Sequence, residues 1–314
     1  MAATAPNELA IIDIGGNAVN LALFMRHPGS TEIVRTYRAS QRLRLIEEMD
    51  GNGFLSQAAI LNAENTIVTY CSWCESAGIS IRNVICVATS AVREANNRDV
   101  LVDAVRARLD LQLKILTGEE EAALGVDAVS HSLAMENGIV FDLGGGDLHI
   151  TRVLRGRSTN MTGLPLGALR LSRHFPHRSA LSQGQLEALS AFVLAKFARL
   201  SWLAKSASGA SVIGFGGTVR DLAEFIATDP HKKQNVDGMV VSVEQVDEVI
   251  RLLSSLSLDE VRLLPGMPPE RGDMALNGAI VVRELLRAAR VDQMQISGAS
   301  IREGLALQHF AATS

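Results

Sequence analysis

The chain has 314 residues, of which 47% are hydrophobic, and a formal net charge of −4. That length is enough for two domains of ordinary size, each with its own core. The acidic balance argues against a general nucleic-acid binder, which needs a dominant basic surface. No apolar run approaches the roughly 18 residues that cross a bilayer, and the first residues lack the charged-then-apolar pattern of a signal peptide. We therefore expect a cytoplasmic protein that neither enters a membrane nor binds nucleic acid.

The periodicities of the first half predict a mixed sheet covered by helices. The order is three strands, a helix, a strand, a helix and a strand. The predicted elements are strands within residues 9–39, a helix from about Ser56 to Gly78, a strand within Ile81–Val92, a helix ending near Leu109 and a strand at Leu113–Leu116.

The second half begins the same cycle again at Gly138. The repeat predicts two related α/β domains that face each other across a cleft. The predicted strands are Ile139–Leu143, Leu148–Leu154 and Ser211–Phe215, and the predicted helices are Gln183–Ser206, Val219–Ile226, Val243–Ser255 and Asp273–Ala289.

The three cysteines are expected to be buried thiols. Cys71 and Cys74 have CxxC spacing, but they fall in the long helical pattern of the first half, and no second pair completes a zinc site. An odd number of cysteines in a long chain also argues against a disulfide framework. Metal or redox use of Cys71 and Cys74 is the alternative, and Cys86 has no neighbour in sequence that suggests either.

Three short segments share one pattern, an apolar run that ends in adjacent glycines. Such a run is typical of a buried strand entering a turn whose backbone can approach a ligand closely, so each turn offers N–H groups to an anion. In the first two segments Asp13 or Asp142 precedes the glycines, where a carboxylate can hold Mg²⁺ through water while the amides hold phosphate. The segments are Ala10–Asn17, Gly138–Asp147 and Ser211–Thr218.

Eight ordered segments are spread over nearly the whole chain. They are IIDIGGNAV, VATSAVREANN, ILTGEEEAALG, VFDLGGGD, GLPLGALRLSRHF, VIGFGGTVRDLA, LPGMPPERGDMALNGA and ISGASIREGLAL. Together they resemble the exopolyphosphatase and guanosine pentaphosphate phosphohydrolase (Ppx/GppA) family. The resemblance implies two RNase-H-like domains of the actin, Hsp70 and sugar-kinase superfamily, with the active site in the cleft between them. It implies a short form without the C-terminal helical domain of longer relatives.

The resemblance also implies the domain limits. The first domain comprises residues 1–117 together with a C-terminal helix at about 301–314, and the second comprises residues 118–300. The hinge precedes the acidic run Glu119–Glu121.

Hydrolysis of a phosphoanhydride needs a carboxylate to activate water, a divalent cation and donors that hold the developing charge. By similarity to the family, Glu120 is the general base and Arg93 contacts phosphate. Structural alternatives exist for both residues. Acids in a first helical turn complement the helix dipole, and an arginine near a helix start is commonly a solvated surface residue.

The remaining family positions divide into phosphate-binding and metal-binding residues, with Mg²⁺ or Mn²⁺ as the expected cofactor. The phosphate-binding positions are Gly15, Gly16, Asn17, Gly144, Gly145, Gly146, Gly216, Gly217 and Thr218. The metal-associated positions are Asp13 and Asp142, joined by the altered positions Asp147 and His149.

The glycine segments depart from the family pattern at several positions. In the first, Gly16, Ala18 and Asn20 stand where the family has two serines and an arginine. In the second, Asp147 replaces a phosphate-binding serine and His149 a metal-associated glutamate. An added carboxylate in a phosphate site repels the substrate unless a cation lies between them.

Three interpretations of these departures compete. In the first, the chain is a hydrolase in which Asp142, Asp147 and His149 form an altered site for a metal that accepts imidazole, such as Mn²⁺ or Zn²⁺. In the second, it is a degenerate relative that binds polyphosphate or a nucleotide as a regulatory module. The third, a kinase, lacks any marked acceptor pocket. Hydrolysis of inorganic polyphosphate or a phosphorylated guanosine nucleotide is favoured by the retention of Asp13, Arg93, Glu120 and Asp142. Relatives with this fold suggest a homodimer.

Overall fold

A computed structural model of the chain describes residues 7–27, 29–133, 135–206, 211–227 and 235–313. Contacts divide the chain into two compact units, one of Met1–Leu124 with Ile301–Ser314 and one of Gly125–Ser300. No helix within these described ranges has both the length and the apolar character needed to span a bilayer.

The described strands and helices alternate along most of the chain. The strands are β1 Glu8–Ile14, β2 Ala18–Arg26, β3 Ile33–Arg42, β4 Val84–Ala88, β5 Leu113–Ile115, β6 Gly138–Leu143, β7 Leu148–Leu154, β8 Arg157–Leu164, β9 Ser211–Phe215, β10 Val240–Ser242 and β11 Gln293–Ile296. The helices are α1 Gln57–Ser76, α2 Ser90–Glu94, α3 Arg98–Leu109, α4 Gly118–Leu133, α5 Ala168–His174, α6 Gln183–Phe197, α7 Leu203–Ser206, α8 Gly217–Ile226, α9 Val243–Ser254, α10 Leu258–Arg262, α11 Gly272–Ala289 and α12 Ile301–Ala312.

The two units are built on the same sheet plan. In the first, the strand order is β3-β2-β1-β4-β5, with β1 antiparallel to β2 and parallel to β4. In the second, the order is β10-β11-β9-β6-β7-β8, with β6 antiparallel to β7 and parallel to β9. Each unit therefore has a mixed sheet whose first strand lies at its centre, as the repeated strand pattern predicts.

Central position explains why β1 is almost entirely apolar. Helices α1 and α12 both contact it, and every residue from Leu9 to Ile14 is buried. A strand covered on both faces has a continuous apolar sequence instead of an alternating one. Helix α12 joins this core through Ala306 and Phe310, which cluster with Leu9 and Ile11.

The buried-thiol interpretation of the cysteines is confirmed. Cys71, Cys74 and Cys86 are free and buried. Burial raises the pKa of Cys71 to about 12 and of Cys74 to about 11. Because the thiolate is the reactive form, these side chains are inert at neutral pH.

Strand β8 was not predicted from the sequence, because the turn before it lacks the residues that usually mark a hairpin. Arg155 and Gly156 both have positive φ, at 52° and 69°, which is the geometry of a two-residue hairpin turn. The usual signal for that turn is Asn-Gly or Asp-Gly, and Arg-Gly does not give it. The strand that follows is polar because it forms the edge of its sheet. The short strands β10 and β11 were also not predicted.

The prediction of one helix over Gln183–Ser206 is wrong in one respect. The structure has two helices there, α6 and α7, separated between Phe197 and Leu203. Residues six positions apart lie about 120° from one another around a continuous helix. Both Phe197 and Leu203 belong to the core of the second unit. The turn between α6 and α7 allows both side chains to be buried in it.

The close contact of α12 with α4 predicts the effect of adding one methyl group. A Cβ on Gly304 would overlap with the backbone carbonyl of Leu124, whereas a Cβ on Gly184, in helix α6, would meet no atom within 4 Å. We expect Gly304→Ala to lower the free energy of unfolding by about 1–3 kcal/mol. We expect Gly184→Ala to raise it by about 0.4–1 kcal/mol. Urea denaturation of both variants measures the difference, and equal stability of the two would contradict the packing of α12.

Candidate active site

The first glycine turn, Gly15 to Asn17, joins β1 to β2 and has its carbonyl groups engaged. The C=O of Gly16 accepts from the Ile46 N–H at 3.0 Å, and the C=O of Asn17 accepts from the Arg44 N–H at 2.9 Å. The N–H groups of Gly16 and Asn17 have no acceptor among the described residues. Unpaired amides in a turn are donors for an anion, so this segment has the chemistry expected of it.

Asp13, near the end of β1, has one oxygen engaged and one without a donor. Oδ2 accepts from Arg302 Nη1 at 2.9 Å, while Oδ1 is buried and has no hydrogen-bond partner. Burial raises the pKa of Asp13, and the positive charge of Arg302 partly opposes that shift. A buried carboxylate oxygen without a donor is the group that a cation or a bound water satisfies.

Glu120 takes part in a cap at the start of α4. Its N–H donates to Thr117 Oγ1 at 3.1 Å, and the Thr117 N–H donates back to Glu120 Oε2 at 2.9 Å. This reciprocal pair is a capping box. Its other oxygen, Oε1, lies 2.7 Å from Lys114 Nζ, and the side chain is 39% exposed. Lys114 and Thr117 lower the pKa of Glu120.

Arg93 lies against the neighbouring acid, Glu121. The two side chains form an ion pair, and Arg93 Nη1 also donates to the Leu116 C=O at 2.8 Å. Glu121 is buried, with 6% of its surface exposed. The structure therefore brings Arg93 together with Glu121, whereas Glu120 is held by Thr117 and Lys114.

In the second unit, the glycine turn after β6 is held by the start of α5. The C=O groups of Gly144, Gly145 and Gly146 accept from the N–H groups of Ala168, Arg170 and Gly167 at 2.9–3.1 Å. Gly144 N–H donates to the C=O of Asp147 at 3.0 Å. The N–H groups of Gly145 and Gly146 have no acceptor among the described residues, so this turn also leaves amide donors available.

Arg170 holds the same turn with its side chain. Its Nε donates to the Gly146 C=O at 2.8 Å, and its Nη2 lies 3.4 Å from Asp147 Oδ1. Gly167 is required where the two segments meet, because a Cβ there would overlap with the backbone of Gly145 and Gly146. The carboxylate that replaces a family serine thus has a guanidinium as its counter-ion.

Asp142 and His149 lie directly opposite each other in the β6–β7 ladder. Side chains of opposite residues project from the same face of a sheet. His149 is buried, and a Cβ on Gly163 would lie 3.2 Å from its Nε2. Gly216 has a φ of 94°, and a Cβ there would overlap with Asp142 Oδ1. The structure therefore brings the second and third glycine segments together at Asp142.

The third segment opens helix α8, with Gly216 at the N-cap position. Thr218 is buried, and its Oγ1 has no hydrogen-bond partner. Arg271 lies beside the turn, since a Cβ on Gly217 would be 3.3 Å from Arg271 Nη1, and its guanidinium pairs with Asp221. A helix N-terminus with adjacent glycines is a further site of exposed amides.

No group of three or more His, Cys, Asp or Glu side chains converges on a common point within the described ranges, and this includes Asp142, Asp147 and His149. The unpartnered Oδ1 of Asp13 nevertheless fits a hard cation. Mg²⁺ binds readily through one or two carboxylates, keeping several waters and taking oxygens from substrate phosphates. The metal assignments of Asp13, Asp142, Asp147 and His149 remain predictions.

Sequence analysis did not predict which arginines hold these acids. Arg302 pairs with Asp13, and Arg170 pairs with Asp147. Both lie in segments that carry the family resemblance, GLPLGALRLSRHF and ISGASIREGLAL. The signal was present, but nothing in the sequence says which acid each arginine meets.

A model of the Ppx/GppA phosphatase family matches residues 23–312 of this chain. Exopolyphosphatase 1 of Mycobacterium leprae is 26% identical over 314 residues, which cover 96% of this chain and 89% of that protein. A putative exopolyphosphatase of Haemophilus influenzae is 24% identical over 307 residues, which cover 95% of this chain and 90% of that protein.

Solved structures show the same fold. The Ppx/GppA family member of Aquifex aeolicus superposes with a TM-score of 0.81, covering 97% of this chain and 98% of that chain at 20% identity. An exopolyphosphatase of Cytophaga hutchinsonii gives a TM-score of 0.84 with the same coverage and 20% identity. The predicted fold class, α/β with two mixed sheets flanked by helices, is confirmed.

The cap at α4 predicts a structural effect of two substitutions. Thr117→Ala removes the acceptor of the Glu120 N–H, so we expect it to lower the free energy of unfolding by about 1 kcal/mol. Glu120→Gln keeps an acceptor for the Thr117 N–H but loses the charge. Because the folded protein lowers the pKa of Glu120, the wild type's advantage over Glu120→Gln is present above the unfolded pKa and is lost as pH falls through the folded one.

Thermal unfolding between pH 3 and pH 7 measures both effects. The advantage over Glu120→Gln is expected to be complete above the unfolded pKa of glutamate, about 4.3, and to decline as pH falls below it through the lower folded pKa. An advantage that persists unchanged to pH 3 would mean that the charge of Glu120 does not support the cap.

Proposed function

The chain belongs to the Ppx/GppA phosphatase family, and from that premise we propose that it releases terminal phosphate from inorganic polyphosphate. The observation that carries the proposal is a pair of glycine turns with hydrogen-bonded carbonyls, in which the amides of Gly16, Asn17, Gly145 and Gly146 have no acceptor among the described residues. Such turns recognise a phosphate chain and not the group attached to it. We therefore extend the proposal to guanosine pentaphosphate.

In the proposed reaction, Arg93 and the turn amides hold the phosphate chain and stabilise the charge that develops on it. Asp13 and Asp142 would hold Mg²⁺ or Mn²⁺, which supplies neutralisation of the scissile phosphate. A carboxylate of the acidic run accepts a proton from the attacking water. Homodimer formation and a cytoplasmic location remain predictions.

The contacts favour Glu121 over Glu120 as that carboxylate. Both oxygens of Glu120 are engaged, one by Lys114 and one by the Thr117 N–H, and its side chain faces solvent. Glu121 is buried against Arg93, the residue proposed to contact phosphate. We therefore propose Glu121 as the general base, in place of the Glu120 assignment suggested by the resemblance.

Paired variants test this assignment. Glu121→Gln should lower kcat for phosphate release from long-chain polyphosphate by about 10²–10⁴-fold, the usual contribution of a general base. Glu120→Gln should change kcat only a few-fold, because glutamine can still accept from the Thr117 N–H. Release is measured with Mg²⁺ and then with Mn²⁺, on variants whose folding is confirmed by circular dichroism. The reverse ranking of the two variants would return the role to Glu120.

A second candidate function, binding of polyphosphate or a nucleotide without hydrolysis, is favoured by Asp147 and His149. Asp147 places a carboxylate beside the glycine turn, where it pairs with Arg170, and His149 stands where the family has a metal-associated glutamate. Tight binding of polyphosphate by the wild type without phosphate release would select this function.

Restoring the family residues tests whether these two positions limit the reaction. In the variant Asp147→Ser with His149→Glu, Arg170 loses its ion pair with Asp147, and a carboxylate stands opposite Asp142 in the β6–β7 ladder. We expect faster Mg²⁺-supported phosphate release than in the wild type. The single variant Asp147→Asn, which removes the charge and keeps the size, separates repulsion from shape. If the restored variant is no faster, the two positions do not limit activity.

A further inference from the structure

We propose that Arg302 is a positioning residue that holds Asp13 with one oxygen turned to a divalent cation, which makes helix α12 part of the metal site. This inference deepens the proposed phosphatase function and rests on it. It concerns how one side chain of the first unit orients another, and its test measures metal binding instead of catalysis.

The contact joins the two ends of the chain. Arg302 Nη1 donates to Asp13 Oδ2 at 2.9 Å, between residues that are 289 positions apart in sequence. Both side chains are largely buried, at 16% and 9% exposure. The other oxygen, Oδ1, is buried without a donor. One oxygen of Asp13 is thus fixed, and the second remains free for a ligand.

Helix α12 holds the guanidinium in a rigid setting. Its Ala306 and Phe310 pack into the core beside Leu9, and the Phe310 C=O accepts from Arg26 Nη1 at 2.8 Å. A charged pair on a fixed helix loses little side-chain freedom when it forms, unlike an exposed pair. Arg302 can therefore set the orientation of Asp13 more strictly than a mobile surface arginine could.

Asp13 has an alternative donor if Arg302 is removed. Asn20 Nδ2 lies 3.5 Å from the same Oδ2, at the limit of a hydrogen bond. Without the guanidinium, the carboxylate is expected to move toward this amide, because buried polar groups in proteins are nearly always hydrogen-bonded. Movement toward Asn20 would turn Oδ1 away from the direction that Arg302 imposes.

Two effects of removing Arg302 oppose each other. The guanidinium repels a cation, so its loss alone would tighten metal binding. The loss of orientation weakens binding, and residues that orient metal ligands are typically worth about 10–100-fold in metal affinity. We expect orientation to dominate, because the charge of Arg302 is already engaged by Asp13 itself.

The test is Mn²⁺ binding to the full chain, measured by titration calorimetry without polyphosphate. Arg302→Gln is expected to weaken Mn²⁺ binding by about 10-fold or more. Affinity that is unchanged or tighter in the folded variant would overturn the proposal. Arg302→Met, which preserves side-chain volume, carries the same test if Arg302→Gln does not fold. Because no substrate is present, a failed phosphatase assay and a failed positioning test remain distinct results.

Two controls separate positioning from general loosening of α12. Arg35 forms an ion pair with Glu303, the next residue of the same helix, but does not touch Asp13. Arg35→Gln should therefore leave Mn²⁺ affinity at the wild-type value, and an equal loss in both variants would overturn the proposal. In the Asp13→Asn background, Arg302→Gln should cause no further loss, and an additional loss would mean that Arg302 acts elsewhere.

Discussion

Every peptide group carries one donor and one acceptor. In the glycine turns of this protein, neighbouring segments of the chain donate hydrogen bonds to the carbonyl acceptors. In the second unit, three successive carbonyls are held by the start of α5, and the amides of Gly145 and Gly146 have no acceptor among the described residues. In the first unit, the carbonyls of Gly16 and Asn17 are held by residues that follow β3. The amides of these turns are therefore the donors that the proposed function assigns to an anion.

Glycine is needed at two positions where another part of the chain comes very close to these turns. Gly167 allows α5 to approach the turn that it holds, and Gly216 allows the third segment to approach Asp142. A side chain at Gly167 would overlap with the backbone of the turn, and one at Gly216 would overlap with the Asp142 carboxylate. Sequence patterns show that glycines cluster at these points, but only the contacts show which segment packs against each glycine.

Much of the fold was predictable because its central strands are buried on both faces. Runs such as that of β1 have no alternation and end in glycines, and they mark the centre of each sheet. The strands that sequence analysis missed are the two edge strands of the second sheet, β8 and β10, and the neighbour of β10, which is β11. Strand β8 is polar and follows an Arg-Gly turn, and β10 and β11 are short. Their formation depends on pairing with a neighbour that is distant in sequence.

The site was predictable in its glycines and acids, but not in how the acids are paired. Three consecutive glutamates look equivalent in sequence, yet the start of α4 gives them different surroundings. The third position from the cap turns back toward Thr117, and the next turns inward to Arg93. A helix rotates each successive residue by about 100°, so one step along the chain separates a capping residue from a buried one.

Pairing also changes what the unusual Asp147 means. A serine at this position would leave the charge of Arg170 beside the turn, whereas Asp147 cancels it and holds the guanidinium at 3.4 Å. Relative to serine, Asp147 lowers the charge beside the amides by one unit, and the Asp147–Arg170 pair is neutral overall. Repulsion of a phosphate chain is therefore weaker than the carboxylate alone would suggest. The amides of Gly145 and Gly146 keep their direction, since Arg170 also donates to the Gly146 carbonyl. A turn that is neutral but correctly ordered is compatible with slower hydrolysis, and it does not require the loss of the reaction.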